Sequence, residues 1–373
     1  MSNVNTLPVS PYARRPRGAV KLNGSIVEGW VSWEVENNAY RSADTFRIVF
    51  ATSDLPPDFD ANWFSNQTQI NVEIFATDDC LTDDYSPSAD DSLILGATDE
   101  IDYNPYQREI TLTGRDYTAK FIDTKTTDHY LGKTSSAIAS LLAQKHGLTT
   151  TFISKTSTQV GSYYHNEHSL TNSAQSEWDM LTYLAHQEGF DVFVDGNDLH
   201  FEPESQFTDN YLIQWEEPDS NLAYSRSNVI TLDFTRNLTI AGGVTVQVRS
   251  WNQASGKTFV ANYPSPAKGI KPGQSESKVL QYKYNIPGLS RQAALDRAQK
   301  IYANIVQHQM KMTCYMPGNS DLDCSMTVTV TGTGTAFDQV YYPEHVVRTM
   351  SIDEGYRINL RAKNTTPESE EAY

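Results

Sequence analysis

Apolar residues in this chain recur with two different periods. Phe46, Ile48 and Phe50 alternate with polar neighbours, and Ile70, Val72 and Ile74 do the same. A period of two is the pattern of a half-buried strand. Asn23 and Gly24 both tolerate positive φ and mark a hairpin turn. The stretch 26–35 alternates around Trp30 and Trp33, whose spacing of three sends them to opposite strand faces, one into the core. Strand patterns at 93–102 and 109–113 complete about five or six strands in residues 18–115, enough for a small β-barrel or sandwich.

The period then changes. Thr134 is placed to cap a helix over 135–146, with Ile138, Leu141 and Leu142 on its apolar face and Gly147 as the terminating residue. A strand is expected at 148–153. A second helix opens at Ser176, with Asp179 positioned for a capping box. It carries Trp178, Leu181, Leu184 and Ala185 inward and ends at Gly189. A hairpin follows, with strands at 190–194 and 199–201. Residues 116–215 therefore read as an α/β connecting unit. The third part, 216–364, returns to strands at 229–234, 244–248, 309–316, 326–331, 345–353 and 357–360, with a turn at Glu354-Gly355. It also holds the longest helix, 291–307, capped by Ser290, with Ala294, Ala298, Ile301, Tyr302 and Ile305 on its inner face. Residues 253–277 read as a long loop.

The two ends lie outside these patterns. Residues 1–17 form an extended arm or a frayed terminus, because Pro8, Pro11 and Pro16 resist helix. The arm carries Arg14, Arg15 and Arg17, the densest basic cluster of the chain. Residues 365–373 form an acidic tail.

Charge narrows the function classes. With 29 Lys and Arg against 46 Asp and Glu, the net charge is −17. Such a chain grips neither nucleic acid nor an anionic membrane well. The acidity serves solubility, or keeps DNA from adhering to a surface it slides past. Cys80, Cys314 and Cys324 lack zinc-site spacing, although Cys314 and Cys324 could lie on neighbouring strands. No apolar run approaches the roughly 20 residues of a membrane span, and the polar, Pro-rich N-terminus has no signal-peptide pattern.

Tests for chemistry return little. Residues 78–91 hold six Asp but not the spacing of an EF-hand, so a solvated loop is expected. His165, Glu167 and His168 have no third ligand nearby and also read as loop. Gly332-Thr333-Gly334 lacks the third glycine and the following helix of a dinucleotide site and reads as a β-turn. No catalytic residue, cofactor or metal ligand is assigned, and an enzyme is not expected. The six tryptophans could line a sugar-binding face, so a carbohydrate-active or carbohydrate-binding β-rich protein is the alternative. Partner contacts are assigned to Arg14, Arg15, Arg17, Lys257, Lys268 and Lys271.

Three segments carry a resemblance: ITLTGRDYTAKFIDTK with the helix KTSSAIASLLAQKHGL, then SEWDMLTYLAHQEGFDVFVDGNDLHF, then SRQAALDRAQKIYANI followed by MPGNSDLDCSMTVTVTG. In this order they resemble the baseplate hub proteins of contractile phage tails, the late control D and gp27-like family. The resemblance spans most of residues 90–362. It implies a mainly β fold with α+β character: two small gp27-like β-barrels with an intervening α/β unit. It further implies a homotrimeric virion protein, assembled in the host cytoplasm into the tail baseplate, that adapts the sixfold tail tube to the threefold central spike. The partners it implies are the spike, a tail tube or tube-initiator protein, the baseplate wedge proteins and the tape measure protein. DNA would pass through without specific binding, and no membrane insertion is implied. No lysozyme-like segment is visible, so any wall-degrading activity would belong to a partner.

Overall fold

The computed structural model describes residues 2–3, 15–39, 42–78, 85–126, 130, 132–157, 175–203, 209–218, 224–238, 244–252, 257–264, 280–286, 289, 291–306 and 310–364. In chain order the first elements are β1 (Arg17–Leu22), β2 (Trp30–Asn38), β3 (Thr45–Ala51), α1 (Ala61–Asn66), β4 (Asn71–Thr77), β5 (Ser92–Asn104) and β6 (Glu109–Asp116). Then come α2 (Thr118–Asp123), α3 (Ser135–Lys145), α4 (Glu177–Glu188), β7 (Phe190–Asp195), β8 (Asp198–Pro203) and β9 (Asp209–Glu216). The remainder is β10 (Thr231–Arg236), β11 (Val244–Asn252), β12 (Lys257–Tyr263), β13 (Leu280–Asn285), α5 (Arg291–Val306), β14 (Met310–Pro317), β15 (Thr327–Thr331), β16 (Val340–Ser351) and β17 (Gly355–Lys363). The fold is mainly β with helices, as the periodicity predicts. Among the described residues no helix is long and apolar enough to cross a membrane.

Two compact units divide the chain. The first comprises Met1–Tyr211, Tyr315–Met326 and Glu344–Leu360; the second comprises Leu212–Cys314, Thr327–Pro343 and Arg361–Tyr373. In the first unit an antiparallel sheet runs β16-β2-β3-β6-β5-β4-β1. The turn after β1 has Asn23 at φ 48° and Gly24 at φ 84°, the two positive values a tight hairpin needs. Strand β5 changes partner along its length: Ser92 to Ala97 pair with β4, and Gly96 to Asn104 pair with β6. Register shifts at Ile74/Phe75 and Thr98/Glu100 accompany the exchange, and bulges of this kind bend a sheet around its core.

Phe46, Ile48, Phe50, Val72, Ile74, Ile110 and Leu112 fill that core. The expectation that Trp30 and Trp33 point to opposite faces is overturned. A register shift between Trp30 and Ser32 sets Trp30 opposite Phe50 and Trp33 opposite Ile48. The extra residue restores the phase, so both indoles pack on the same core. Helix α1 was not expected from the sequence. Asp60 caps it by accepting from the Trp63 N–H at 2.7 Å, and Phe64 enters the core beside Phe50 at a ring separation of 5.9 Å.

A second cluster of the same unit gathers α2, α3, α4 and the β7–β8 hairpin. The Thr134 cap of α3, the Ser176–Asp179 capping box of α4 and the left-handed Gly147 and Gly189 are all present. Leu141 is not on the inner face: it is 39% exposed, and Ala139 and Ala143 pack with Ile138 and Leu142 instead. The strand expected at 148–153 is not formed. Thr149 and Ile153 make isolated bridges to Asp198 and Phe201, with a turn at Thr151 and Phe152 between them. A buried carboxylate joins two helices: Glu177 accepts from Lys145 Nζ and lies against His146 Nε2, each at 2.5 Å.

In the second unit, β11 pairs antiparallel with β12 and parallel with β13. Helix α5 lays Ala294, Ala298 and Tyr302 on Val244, Val246, Val248 and Ala261. The loop expected at 253–277 is therefore in part strand β12. Strand β13, absent from the sequence reading, owes its place to the parallel pairing with β11.

Candidate assembly surface

The GRD end of β6, where the resemblance expects a turn, stays in the strand and has a physical reason at each position. A Cβ on Gly114 would lie 2.2 Å from the Ala97 carbonyl oxygen and 2.5 Å from the Phe46 ring, so only glycine lets β5 approach here. Arg115 ties β5 to α2, donating to Asp99 at 2.6 and 2.9 Å and to Asp123 at 3.2 and 2.8 Å. Asp116 is buried and accepts from the Thr118 N–H at 3.2 Å and its hydroxyl at 2.9 Å, which fixes the start of α2.

Next to this strand end lies a polar network that the sequence reading missed. Asp44 accepts from Asn37 Nδ2 at 2.7 Å and from the Asn38 N–H at 2.8 Å. Asn37 in turn accepts from the buried Arg348, which also donates to the Leu322 carbonyl. Burial, then the Asp44 charge, push Asp116 up to about 8. Burial likewise raises Asp44 to about 6, against the bonds from Asn37 and Asn38 and the charge of Arg348. One signal was available: Arg348 stands at an inward position between the core-facing Val346 and Met350, and a buried cation needs partners.

The MPGNSDLDC segment is an anchor of the same kind. Gly318 donates to the Tyr356 carbonyl at 2.8 Å, with no room for a Cβ against that ring. Ser320 donates to the Ala76 carbonyl at 3.0 Å and Asn319 to Asp78 at 3.3 Å. Cys314 and Cys324 are free thiols, pushed up to about 12 by burial. Cys324 lies in a turn, not on a strand beside Cys314.

A groove of about 570 Å³ lies in the second unit, lined by Trp215, Ile230, Leu232, Phe234 and Phe337 among others. Phe234 and Phe337 stack at 4.9 Å. Ile230 is 52% and nearby Tyr224 83% exposed, so part of this apolar surface faces water. One wall is the Gly332–Gly334 turn. Gly332, at φ +99°, presses on the Trp215 carbonyl where a Cβ would sit 1.8 Å from its oxygen. The Asp338 carboxylate accepts from the Thr333 and Gly334 N–H groups at 3.0 and 2.8 Å. These amides are thus already used, and the hydrogen-bonded turn falls just beyond, where the Asp338 N–H donates to the Thr335 carbonyl at 3.1 Å.

Three of the basic residues assigned to partner contacts lie within the described residues. Arg15 and Arg17 are exposed beside each other, with Arg17 opening β1. Lys257 opens β12 in the second unit. Arg14, Lys268 and Lys271 lie outside the described residues, as do Cys80 and the His165, Glu167 and His168 group. Among the described residues no three His, Cys, Asp or Glu side chains are gathered as a metal site would gather them.

Comparison of the fold with solved structures gives end-to-end matches. A tail protein from Neisseria meningitidis MC58 superposes with a TM-score of 0.62 at 15% identity, covering 96% of this chain and 99% of that one. The 43 kDa tail protein of prophage MuSo2 from Shewanella oneidensis gives 0.63 at 12% identity, over 95% and 99%. The fold is that of phage tail proteins. The same tail-protein fold extends to the E. coli c3393 protein, described as a component of the type VI secretion system with structural similarity to T4 tail proteins gp27 and gp5. That match has a TM-score of 0.53 at 12% identity, over 93% of this chain and 77% of that one. The resemblance read from the sequence is therefore borne out at the level of the fold. No family model matches the sequence, and no curated protein matches it.

Proposed function

We propose that the protein is a structural component of a phage tail baseplate, acting as a homotrimeric hub between the tail tube and the central spike. The observation that carries the proposal is the tail-protein fold, shared over nearly the whole chain with two tail proteins. The described motif residues Gly114, Arg115, Asp116, Thr134, Ser176, Gly318 and Ser320 support it, because they serve packing, capping or anchoring. The half-exposed apolar groove of the second unit offers a surface for self-association. Three copies, each carrying −17, would surround a channel with negative charge, so DNA would pass without adhering. Tube or tube-initiator, spike and wedge proteins are the partners this role requires.

Light scattering on the purified chain tests the proposal. The expected mass is three times 41.8 kDa. Electron microscopy of the same sample should show a ring with an open centre. A chain that stays monomeric at high concentration, both alone and mixed with its spike and tube proteins, would overturn the hub reading.

A further inference from the structure

We propose that the outer face of the β11–β12–β13 sheet docks a partner protein segment that presents carboxylates beside an apolar anchor. The inner face of this sheet is covered by α5 over Val244, Val246, Val248 and Ala261. The alternate positions face the other way. They include Gln247, Arg249 and Trp251 on β11, with Lys283 opposite Gln247, Val260 opposite Arg249 and Thr258 opposite Trp251. Trp251 is 53% and Val260 50% exposed, and Arg249 and Lys283 are exposed as well. Neither cation is ion-paired among the described residues.

Charge identifies the occupant. The chain as a whole carries −17, yet residues 244–285 hold six Lys and Arg against one acid, Glu276. No outward position of the described sheet is Asp or Glu. This face therefore attracts the sign of charge that the chain as a whole repels. Arg249 is at its centre. Its fork of N–H donors takes a carboxylate in paired bonds, and Lys283, one diagonal step away on β13, adds a point charge. Trp251 follows Arg249 by two residues, about 7 Å along the strand, and forms an apolar platform with Val260. An exposed Trp beside an Arg is a combination enriched at the energetic centres of protein interfaces. Two cations neutralise too few phosphates to hold nucleic acid, and an aliphatic Val offers a base no stacking surface. The face fits an extended segment with one apolar side chain and, at alternate positions beyond it, acids. This inference does not depend on trimer formation.

The test uses the full chain labelled with fluorotryptophan and the capped peptide Leu-Gly-Glu-Gly-Glu-Gly, whose alternation puts Leu and both Glu on one side of an extended chain. The Trp251 fluorine signal is assigned from Trp251→Phe, and affinities are read by NMR titration. The peptide should shift the Trp251 signal saturably. Replacing both Glu with Gln, or Leu with Gly, should weaken binding about tenfold. Arg249→Gln should do the same with the circular dichroism unchanged, because its side chain is exposed. Lys283→Gln should weaken binding less, since an ammonium makes no paired bonds. Equal binding of the Glu and Gln peptides, or unchanged affinity in Arg249→Gln, would overturn the proposal. So would a stronger shift of the Trp251 signal by a thymidine hexanucleotide, which would assign the face to nucleic acid. A Trp251 signal that moves with protein concentration in the absence of peptide would overturn it too, by assigning the face to contact between copies.

Discussion

Replacing Asp116 with Asn tests whether the end of β6 carries a carboxyl group that is protonated near neutral pH. Asp116 is 7% exposed, and its two bonds to Thr118 are ones an amide can also accommodate, because the Thr118 hydroxyl can reverse its donor role. Burial and the Asp44 charge raise Asp116 to about 8, against about 3.9 in an unfolded chain. The folded state therefore holds a proton that the unfolded state has released. Its stabilising contribution is fully present below the unfolded value and is lost as pH rises through 8. Between pH 7 and pH 9 the loss is about 1.4 kcal/mol, a factor of about ten in the folding equilibrium. Lys363 opposes this: burial lowers its ammonium to about 8, so its deprotonation recovers stability over the same range. The observable is accordingly the difference between Asp116→Asn and the parent, in which Lys363 cancels. Urea unfolding followed by tryptophan fluorescence should show the variant gaining about 1.4 kcal/mol on the parent from pH 7 to pH 9. A difference that is constant across that range, or that moves the other way, would refute the burial argument and return Asp116 to the ordinary carboxylate range.

Four further outcomes are expected. Asp44→Asn should show the same kind of gain lower on the scale, centred near pH 6, when the same unfolding curves are collected from pH 5 to pH 7. Gly114→Ala forces a methyl group to within 2.2 Å of a backbone oxygen, so it should lower the melting temperature by many degrees. Gly147→Ala, where nothing lies within 4 Å, should cost only the strain of its φ +75°, on the order of 1 kcal/mol. Ile230→Asp puts a charge on the half-exposed wall of the second-unit groove. In light scattering it should shift the mass of the proposed trimer to that of a monomer while leaving the circular dichroism spectrum unchanged, and an unshifted trimer mass would remove this groove from the proposed interface.

Sequence alone determined the features that depend on near neighbours. Strand alternation located the Phe46–Phe50 and Ile70–Ile74 core residues, 3.6-residue periodicity with capping chemistry located α3 and α4, and periodicity alone located α5. Glycine placement located the turns at Asn23-Gly24, Gly147, Gly189 and Gly355. These follow from local backbone preference and side-chain spacing, which act within a few residues. What the sequence could not supply was set by partners distant along the chain. A single extra residue in β2 reversed the expected side for one of the two tryptophans, because the phase of a strand is fixed by the strand beside it. β13 formed through parallel pairing with β11, and the 148–153 segment was drawn out as a bridge along β8 instead of a full strand. The Asp44–Asn37–Arg348 network joins residues some three hundred positions apart, and no local pattern carries that information. The outer face of the β7–β8 hairpin lies between these cases. Its alternation of acids and aromatics is legible in FDVFVD and DLHFE, but the register that opposes acid to acid, and brings Phe152 onto His200, belongs to the tertiary structure.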